Sequence, residues 1–143
     1  MVKLTREPID TTALVNAAQT PEVGAVVLFL GVSRRLTQGR ETTQLNYDAY
    51  ENMAVRELEL LEAEAHQRWP IVSCAIVHRL GVVPLGETSV AVAVACPHRR
   101  EAFEAGQWLI DTLKERVPIW KQEHWANGKT EWIHPRQIQS QQS

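Results

Sequence analysis

The chain has 143 residues, 44% of them apolar and 22% charged, which is the composition of an ordinary soluble globular protein. This length suits a single domain over residues 1–143 that buries a core without disulfides or metal, with a polar, frayed tail from about residue 137. The formal net charge of −2 argues against nucleic acid as a partner, and no segment is apolar enough to span a membrane, so we expect a cytoplasmic protein. Any anion site must therefore be a local cluster of basic side chains.

Hydrophobic periodicity and turn residues predict eight elements. In chain order they are a helix over residues 10–18, strands over 23–31 and 43–50, a helix over 51–69, strands over 71–80 and 88–96, a helix over 97–116 and a strand over 130–133. Asp10 is the expected N-cap of the first helix, and the polar stretch 33–42 predicts a loop. Because two pairs of strands follow each other without a helix between them, the order favours an α+β fold with a mixed, largely antiparallel sheet.

Three of these elements have a predicted buried face. Alternation in the second strand places Thr43, Leu45, Tyr47 and Ala49 on one side. Helical spacing predicts an apolar stripe of Met53, Ala54, Leu58, Leu61 and Ala65 in the second helix, and one of Ala102, Phe103, Gly106, Leu109, Ile110, Leu113 and Val117 in the third. The two cysteines, Cys74 and Cys96, lie in apolar strands without a metal or redox motif, which predicts buried free thiols.

Basic residues cluster where the third helix begins. His98, Arg99 and Arg100 fall at or near its N-terminus, where free backbone N–H groups and the helix dipole attract anions. The two arginines would add charge-assisted hydrogen bonds to such an anion. The alternative is that Glu101 and Glu104 compensate these charges locally and that the arginines are only solvated.

Further basic residues lie near the ends of other elements. Lys114 falls at the margin of the apolar stripe, where it either extends to the surface or points into a cleft as a nucleophile or acid–base group. Lys121 follows Trp120, so it is either a surface cation–π partner or a site lysine held by a stiff turn. Arg34 and Arg35 follow a strand, a common position for functional residues. None of these residues decides a function alone.

Taken together, the segments resemble the large subunit of molybdopterin synthase over roughly residues 24–132. The resemblance is carried by GAVVLFLGVSRR at residues 24–35, LNYDAYENMA at 45–54, RWPIVSCAIVHRLGVVPLGE at 68–87, HRREAFEAGQWLIDTLKERVPIWKQE at 98–123, and the final Trp132 and Ile133. The ordered set of HR-x-x-AF and LK-x-x-x-P-x-WK is specific, whereas a single LK or HR would carry no information.

The resemblance implies a sulfurtransferase. The family converts cyclic pyranopterin monophosphate into molybdopterin by building a dithiolene, and the sulfur arrives as a thiocarboxylate on the C-terminal glycine of a small ubiquitin-like subunit. It also implies an α/β hammerhead-type fold and a homodimer within a heterotetramer that has one small subunit at each end. We expect no cofactor or metal of the chain's own, and no nucleic acid or membrane partner.

The same resemblance implies roles for individual residues. Lys114 matches the family's catalytic lysine in the LK element, and Lys121 matches the second active-site lysine in the WK element. His98 and Arg99 match the HR pair that lines the pterin-phosphate site. Guanidinium groups at a helix N-terminus suit a phosphorylated substrate, and cationic lysines suit an acyl-sulfur donor whose charge shifts during transfer.

Two further arginines complete the expected site. Arg34 matches the arginine of the family's G-x-V-R loop; because the segment here is GVSRR, Arg35 is the alternative, and the spacing from Phe29 favours Arg34. Arg136, four residues past Trp132, matches a further basic position near the C-terminus.

The source of sulfur separates two functional hypotheses. Neither cysteine has a site context, so the first hypothesis, sulfur transfer, requires a donor partner. The second is a non-catalytic module that binds a phosphorylated ligand or a ubiquitin-like C-terminal tail, in which the lysines only bind anions.

Overall fold

The computed structural model describes residues 1–133, and the tail expected from about residue 137 lies outside them. Three helices and nine strands occur in this range, in the order β1 (Val2–Thr5), α1 (Thr11–Ala18), β2 (Ala25–Val32), β3 (Leu36–Thr37), β4 (Arg40–Ala49), α2 (Glu51–Arg68), β5 (Ser73–Arg79), β6 (Gly81–Val83), β7 (Thr88–Cys96), α3 (Arg99–Arg116), β8 (Ile119–Trp125) and β9 (Thr130–Ile133). All eight predicted elements are present, and the mixed, largely antiparallel pairing confirms the α+β class. No helix in residues 1–133 is both long and apolar enough to cross a membrane.

A four-stranded sheet in the order β1-β5-β7-β2 forms the centre of the core. β1 runs parallel to β5, and the other neighbours are antiparallel. Every residue of β7 after the first is buried, because its valines pack with α2 and α3 while its alanines lie on the opposite face, which α1 approaches. A strand covered on both faces must be apolar throughout, and each buried valine or leucine contributes about 1.5–3 kcal/mol.

The second sheet has β4 at its centre. β4 pairs with β3 and β6 along one edge and with β8 along the other, and β9 follows β8. Tyr47 lies directly opposite Lys121, and Leu45 lies opposite Glu123. Paired residues of neighbouring strands point to the same face, so this register brings a phenol, an ammonium group and a carboxylate together on one side of the sheet.

In β4 the predicted alternation of side chains between the two faces holds from Leu45 onward, but it fails at the start of the strand. A register shift between Thr42 and Gln44 turns Thr42 inward, where it is 1% exposed, and leaves Thr43 exposed. The prediction that Thr43 shares the buried face was therefore wrong. A bulge adds one residue to one strand, and nothing in the alternation of the sequence records it.

The sequence prediction omits β1, β3, β6 and β8. The predicted loop 33–42 contains β3 and the start of β4, joined by a turn in which Gln38 and Gly39 have φ of 51° and 77°. Two consecutive positive φ values are typical of a type I′ hairpin turn, and Gly39 adopts this conformation without strain. β1, β3 and β6 have two to four residues and are too short to show a period. β8 has seven residues, but Lys121 and Glu123 stand at alternate positions where an apolar pattern would be expected.

The predicted apolar stripes are correct in the middle of each long helix but not near its start. Leu58, Leu61 and Leu109 are fully buried, whereas Met53 is 57% exposed and Phe103 is 64% exposed. A helical wheel gives the angle of a side chain but not how far along the helix the covering elements extend. Placing Met53 and Phe103 in the core was therefore wrong.

Both cysteines are buried free thiols, as predicted. Burial raises the pKa of Cys74 to about 12 and also raises the pKa of Cys96. Because the thiolate is the reactive form, neither side chain is a nucleophile near neutral pH.

Candidate active site

A cavity of about 490 Å³ lies between the two sheets and the C-terminal half of α3. Phe29, Leu45 and Ile110 contribute apolar surface to its wall. Arg34, Lys114 and Lys121 line the same cavity, although they come from the segment after β2, from α3 and from β8. The fold thus brings three of the basic residues singled out in the sequence into one place.

Lys114 lies in the last turn of α3, next to the buried Leu113. The Lys114 side chain is exposed to solvent and also lines the cavity. Both positions considered for it from the sequence, at the surface and in a cleft, therefore apply. Two residues later Arg116 is paired with Glu57 and Glu64 of α2, at 3.7 Å and 3.0 Å. Within residues 1–133 no such ion pair is formed by Lys114, which leaves its positive charge to the cavity.

Lys121 belongs to a strand and not to the stiff turn that the sequence suggested. It lies in β8, where successive side chains point to opposite faces, so it faces the cavity while Trp120 faces away and packs against Tyr50. The side chain of Lys121 is only 15% exposed. The alternative of a surface cation–π pair between Lys121 and Trp120 therefore does not apply.

Glu123 holds Lys121 in place from beneath the cavity. Its side chain is completely buried, one oxygen accepts a hydrogen bond of 2.7 Å from the Thr42 hydroxyl, and the other lies 3.1 Å from Lys121 Nζ. That second oxygen receives no well-aligned hydrogen bond, so its contact with the ammonium is mainly electrostatic. Glu123 is not among the site residues predicted from the sequence, although a spacing of two residues on a strand places it on the same face as Lys121.

Arg34 is positioned by a loop that is fixed on both sides. The Ser33 N–H donates to Glu87 O (3.1 Å), the Gly86 N–H donates to Ser33 O (2.8 Å), and the Thr42 N–H donates to Arg35 O (2.6 Å). Arg34 lines the cavity, whereas Arg35 is exposed and is not part of the wall. The geometry therefore favours Arg34 over Arg35 as the residue that faces a ligand.

The partner loop owes its shape to a glycine. The Glu87 N–H donates to Pro84 O (3.1 Å), and Gly86, with φ of 83°, occupies the third position of this turn. That position of a type II turn requires a positive φ, which glycine adopts at no steric cost. The segment PLGE thereby presents the backbone groups that bind Ser33 and orient Arg34.

The inner part of the cavity is formed by uncharged polar side chains. His78, Ser89 and Tyr47 line it, and the first two are each only 5% exposed. Burial lowers the pKa of His78 to about 4, so the imidazole is neutral near neutral pH. Burial also raises the pKa of Tyr47, which stays protonated. His78 and Ser89 were missed by the sequence analysis because they sit inside apolar strand segments, where a core position is the simplest interpretation.

His98 and Arg99 are not part of this cavity. His98 is the N-cap of α3, and both side chains are exposed. Arg99 and Lys114 are separated by 15 helical positions, which amounts to about 22 Å along the axis. Arg100 donates to Glu104 Oε1 at 3.0 Å, so local compensation, the alternative weighed above, applies to Arg100. Arg136 lies outside the described residues.

The arrangement combines a cationic rim with a neutral polar interior. Three positive charges around an apolar-walled cleft favour anionic ligands and stabilise negative charge that develops during a reaction. The buried carboxylate of Glu123 neutralises only part of this charge. Such a site suits a phosphorylated ring compound or a carboxylate-type tail.

The chain is similar to known proteins of one family. The family described as MoaE protein matches residues 4–116. The molybdopterin synthase catalytic subunit of Bacillus subtilis (strain 168) is 42% identical over 131 residues, which cover 92% of this chain and 83% of that protein. The protein of the same name from Pyrococcus abyssi (strain GE5 / Orsay) is 42% identical over 137 residues, covering 92% of this chain and 90% of that one.

Solved structures agree as well. The crystal structure of molybdopterin synthase from Staphylococcus aureus has a TM-score of 0.85 and 37% identity, covering 91% of this chain and 94% of that chain. A complex of subunits 1 and 2 of molybdopterin-converting factor from Helicobacter pylori 26695 has a TM-score of 0.75 and 26% identity, covering 93% and 88%. The resemblance noted in the sequence is thus confirmed, and the chain belongs to the MoaE family, whose relatives named here are molybdopterin synthase catalytic subunits.

Proposed function

We propose that this chain is the catalytic subunit of a molybdopterin synthase. It transfers sulfur from a thiocarboxylated ubiquitin-like small subunit to cyclic pyranopterin monophosphate and so forms the molybdopterin dithiolene. The observation that carries the proposal is the convergence of Arg34, Lys114 and Lys121 on one cavity in a chain of the MoaE family.

The three cations have separable roles in this proposal. Arg34, with its planar guanidinium, binds the phosphate of the substrate. Lys114 and Lys121 bind the thiocarboxylate and stabilise the negative charge that develops as the acyl–sulfur bond breaks. In each transfer one sulfur moves to the substrate, and water supplies the oxygen that leaves the small subunit with an ordinary carboxylate. Two transfers are needed for one dithiolene. Glu123, 3.1 Å from Lys121 Nζ, orients Lys121 for this task.

The donor must be a separate protein. Cys74 and Cys96 are buried, and their raised pKa values keep the thiols protonated, so the chain has no reactive sulfur of its own in residues 1–133. The two-subunit complex from Helicobacter pylori supports a small subunit as that partner. We place the reaction in the cytoplasm, where free thiols persist.

His98 and Arg99 enter the proposal through a second copy of the chain. Both residues are about 22 Å from Lys114 along α3, too far for one pterin to touch both ends. In a two-fold homodimer each copy can offer the N-terminus of its α3 to the cavity of the other. We therefore assign His98 and Arg99 to the phosphate site of the facing cavity, with Arg136 as a further basic group.

The test is reconstitution. Purified chain, thiocarboxylated small subunit and cyclic pyranopterin monophosphate are mixed, and molybdopterin is measured by its fluorescent oxidation product. We expect product that depends on all three components. Binding of substrate and small subunit without any dithiolene would instead support the non-catalytic module, and a reaction without the small subunit would contradict the role of the donor.

A further inference from the structure

We propose that His78 and Tyr47 form a neutral hydrogen-bond acceptor site on the cavity floor, which binds the N–H edge of the substrate's uncharged ring system. The inference rests on the proposed function and extends it, because it assigns recognition of the heterocycle to residues outside the cationic rim. The floor is defined here as His78, Tyr47 and Ser89, and the rim as Arg34, Lys114 and Lys121.

Burial distinguishes two residues of the floor, His78 and Ser89, from two residues of the rim, Arg34 and Lys114. His78 and Ser89 are each 5% exposed, whereas Arg34 and Lys114 are exposed to solvent. Three strands of the two sheets, β4, β5 and β7, supply the floor. The backbone of Tyr47 and that of His78 are each paired with a neighbouring strand on both sides. A ligand whose anion binds at the rim therefore extends its neutral part toward the floor.

One hydrogen bond decides which nitrogen of His78 carries the proton. Nδ1 lies 2.9 Å from the carbonyl oxygen of Arg79, and a carbonyl can only accept, so Nδ1 is the donor. Burial lowers the pKa of the imidazole to about 4, which keeps the second nitrogen unprotonated. Nε2 is therefore a lone-pair acceptor in a residue that lines the cavity.

Tyr47 supplies the second acceptor of the floor. Ser89, the third residue of the floor, donates its hydroxyl proton to Gly31 O at 3.2 Å. The phenol oxygen keeps a lone pair, and its raised pKa keeps it neutral. The Tyr47 ring also meets the imidazole edge-on, with 5.0 Å between centroids, and so fixes its orientation.

The floor is thus rich in acceptors, and this has a consequence for specificity. A pterin presents amino and ring N–H donors along one edge, which pair with Nε2 of His78 and the oxygen of Tyr47. A ligand without those donors would leave buried acceptors unpaired, and a buried unpaired polar group is costly. Rim and floor together select a molecule that has an anion at one end and an N–H edge at the other.

The experiment compares two substitutions at His78. His78→Asn keeps an N–H where Nδ1 lies and deletes the acceptor, whereas His78→Gln places an amide oxygen near the position of Nε2. Binding of cyclic pyranopterin monophosphate is measured by calorimetry on the complex with unthiolated small subunit, so that no turnover occurs. We expect His78→Asn to weaken binding about tenfold and His78→Gln to restore most of that loss.

Inorganic phosphate, measured as a competitor, is the control probe for the rim. We expect its affinity to be the same in both variants, because Arg34 and the lysines are unchanged. Equal weakening of phosphate and pterin by His78→Asn would indicate a merely structural role and overturn the proposal, as would wild-type pterin affinity in this variant. A wild-type complex that binds no cyclic pterin would overturn the proposed function itself.

Tyr47→Phe provides a second test, which can be used if the His78→Asn protein does not fold. It preserves the ring that contacts His78 and removes only the hydroxyl. We expect weaker pterin binding, about threefold, with unchanged phosphate binding. Unchanged pterin binding in a folded Tyr47→Phe protein would remove Tyr47 from the acceptor site and contradict the proposal.

Discussion

The two ends of α3 both carry basic residues, yet they meet different surroundings. At the C-terminal end Lys114 complements the helix dipole and faces a cavity that Arg34 and Lys121 also line. At the N-terminal end His98 and Arg99 oppose the dipole and are exposed. A basic cluster in the sequence thus becomes a site only where the fold brings other groups to it. At the first end the groups of one chain already line a cavity, whereas at the second end we propose that another copy of the chain supplies the neighbouring groups.

The largest effect is expected at the C-terminal end of α3, which lines the cavity. Lys114→Ala should lower the rate of molybdopterin formation by about 10²–10³-fold or more, because it removes a charge that stabilises the transition state. The melting temperature should stay near the wild-type value, since the side chain is exposed. Lys129→Ala, in the exposed turn between β8 and β9, is the matched control and should be fully active. Normal turnover by folded Lys114→Ala protein would remove Lys114 from the mechanism.

The next largest effect is expected at the exposed N-terminal end of α3. Arg99→Ala should reduce the rate about 10–100-fold, mainly through weaker substrate binding, because a charge-assisted contact to phosphate is lost. Arg100→Ala is the adjacent control; Arg100 is 83% exposed and paired with Glu104, so little change is expected. If both variants behave alike, the N-terminal end of α3 has no specific role.

A mixture of two inactive variants tests whether the two ends of different copies share one site. In a dimer of Lys114→Ala and Arg99→Ala chains, one of the two cavities receives both wild-type residues. A refolded equal mixture should recover about a quarter of the wild-type rate, since half of the pairs are mixed and each has one intact cavity. No recovery above the separate variants would contradict the division of the site between copies.

The same contrast explains what the sequence could predict. β7 and the middle of α3 were predicted correctly because a strand or stripe covered by other elements must be apolar, and apolar periodicity is visible in the sequence. Lys114 and Lys121 were singled out from position and resemblance. Their convergence with Arg34 depends on the pairing of β4 with β8 and on the loop at Ser33, which no local pattern encodes.

The roles of the buried polar residues Glu123 and His78 could not be predicted from the sequence either. Glu123 is as charged in sequence as any surface glutamate, and His78 lies in a run that predicts only a core strand. Their roles follow from partners that are distant along the chain, Thr42 for Glu123 and Tyr47 for His78. Polar residues at strand positions that should be buried were the one available signal, and it indicates a site only when the neighbours are known.

A smaller effect is expected at Glu123, the buried carboxylate that pairs with Lys121. Glu123→Gln keeps the hydrogen bond to Thr42 but removes the charge that holds Lys121, so the rate should fall about tenfold. The free energy of unfolding should fall by roughly 1–3 kcal/mol because a buried charged pair loses one partner. Glu131→Gln is the control: Glu131 is opposite Glu123 in the ladder but exposed. Loss of stability without loss of rate would make Glu123 structural only.

The smallest effect concerns His78 and the pH dependence of stability. Its pKa is about 4 in the folded chain and near 6.5 in the unfolded chain, so between these values the unfolded state binds the extra proton. Stability should therefore fall as the pH is lowered from 6.5 to 4, with a contribution from this residue of up to about 3 kcal/mol. The neighbouring Tyr47 adds nothing in this window because its pKa is raised and it stays protonated.

Carboxylates also titrate in acid, so a substitution at His78 is used to isolate the contribution of this residue to the free energy of unfolding. His78→Gln cannot bind the proton, so its free energy of unfolding, measured by urea titration at several pH values, should fall less steeply than that of the wild type. His66→Gln, at an exposed position of α2, should follow the wild-type curve. Parallel curves for wild type and His78→Gln would mean that the imidazole is protonated equally in both states. The neutral interior that distinguishes the cavity end of α3 from its exposed basic end would then not exist.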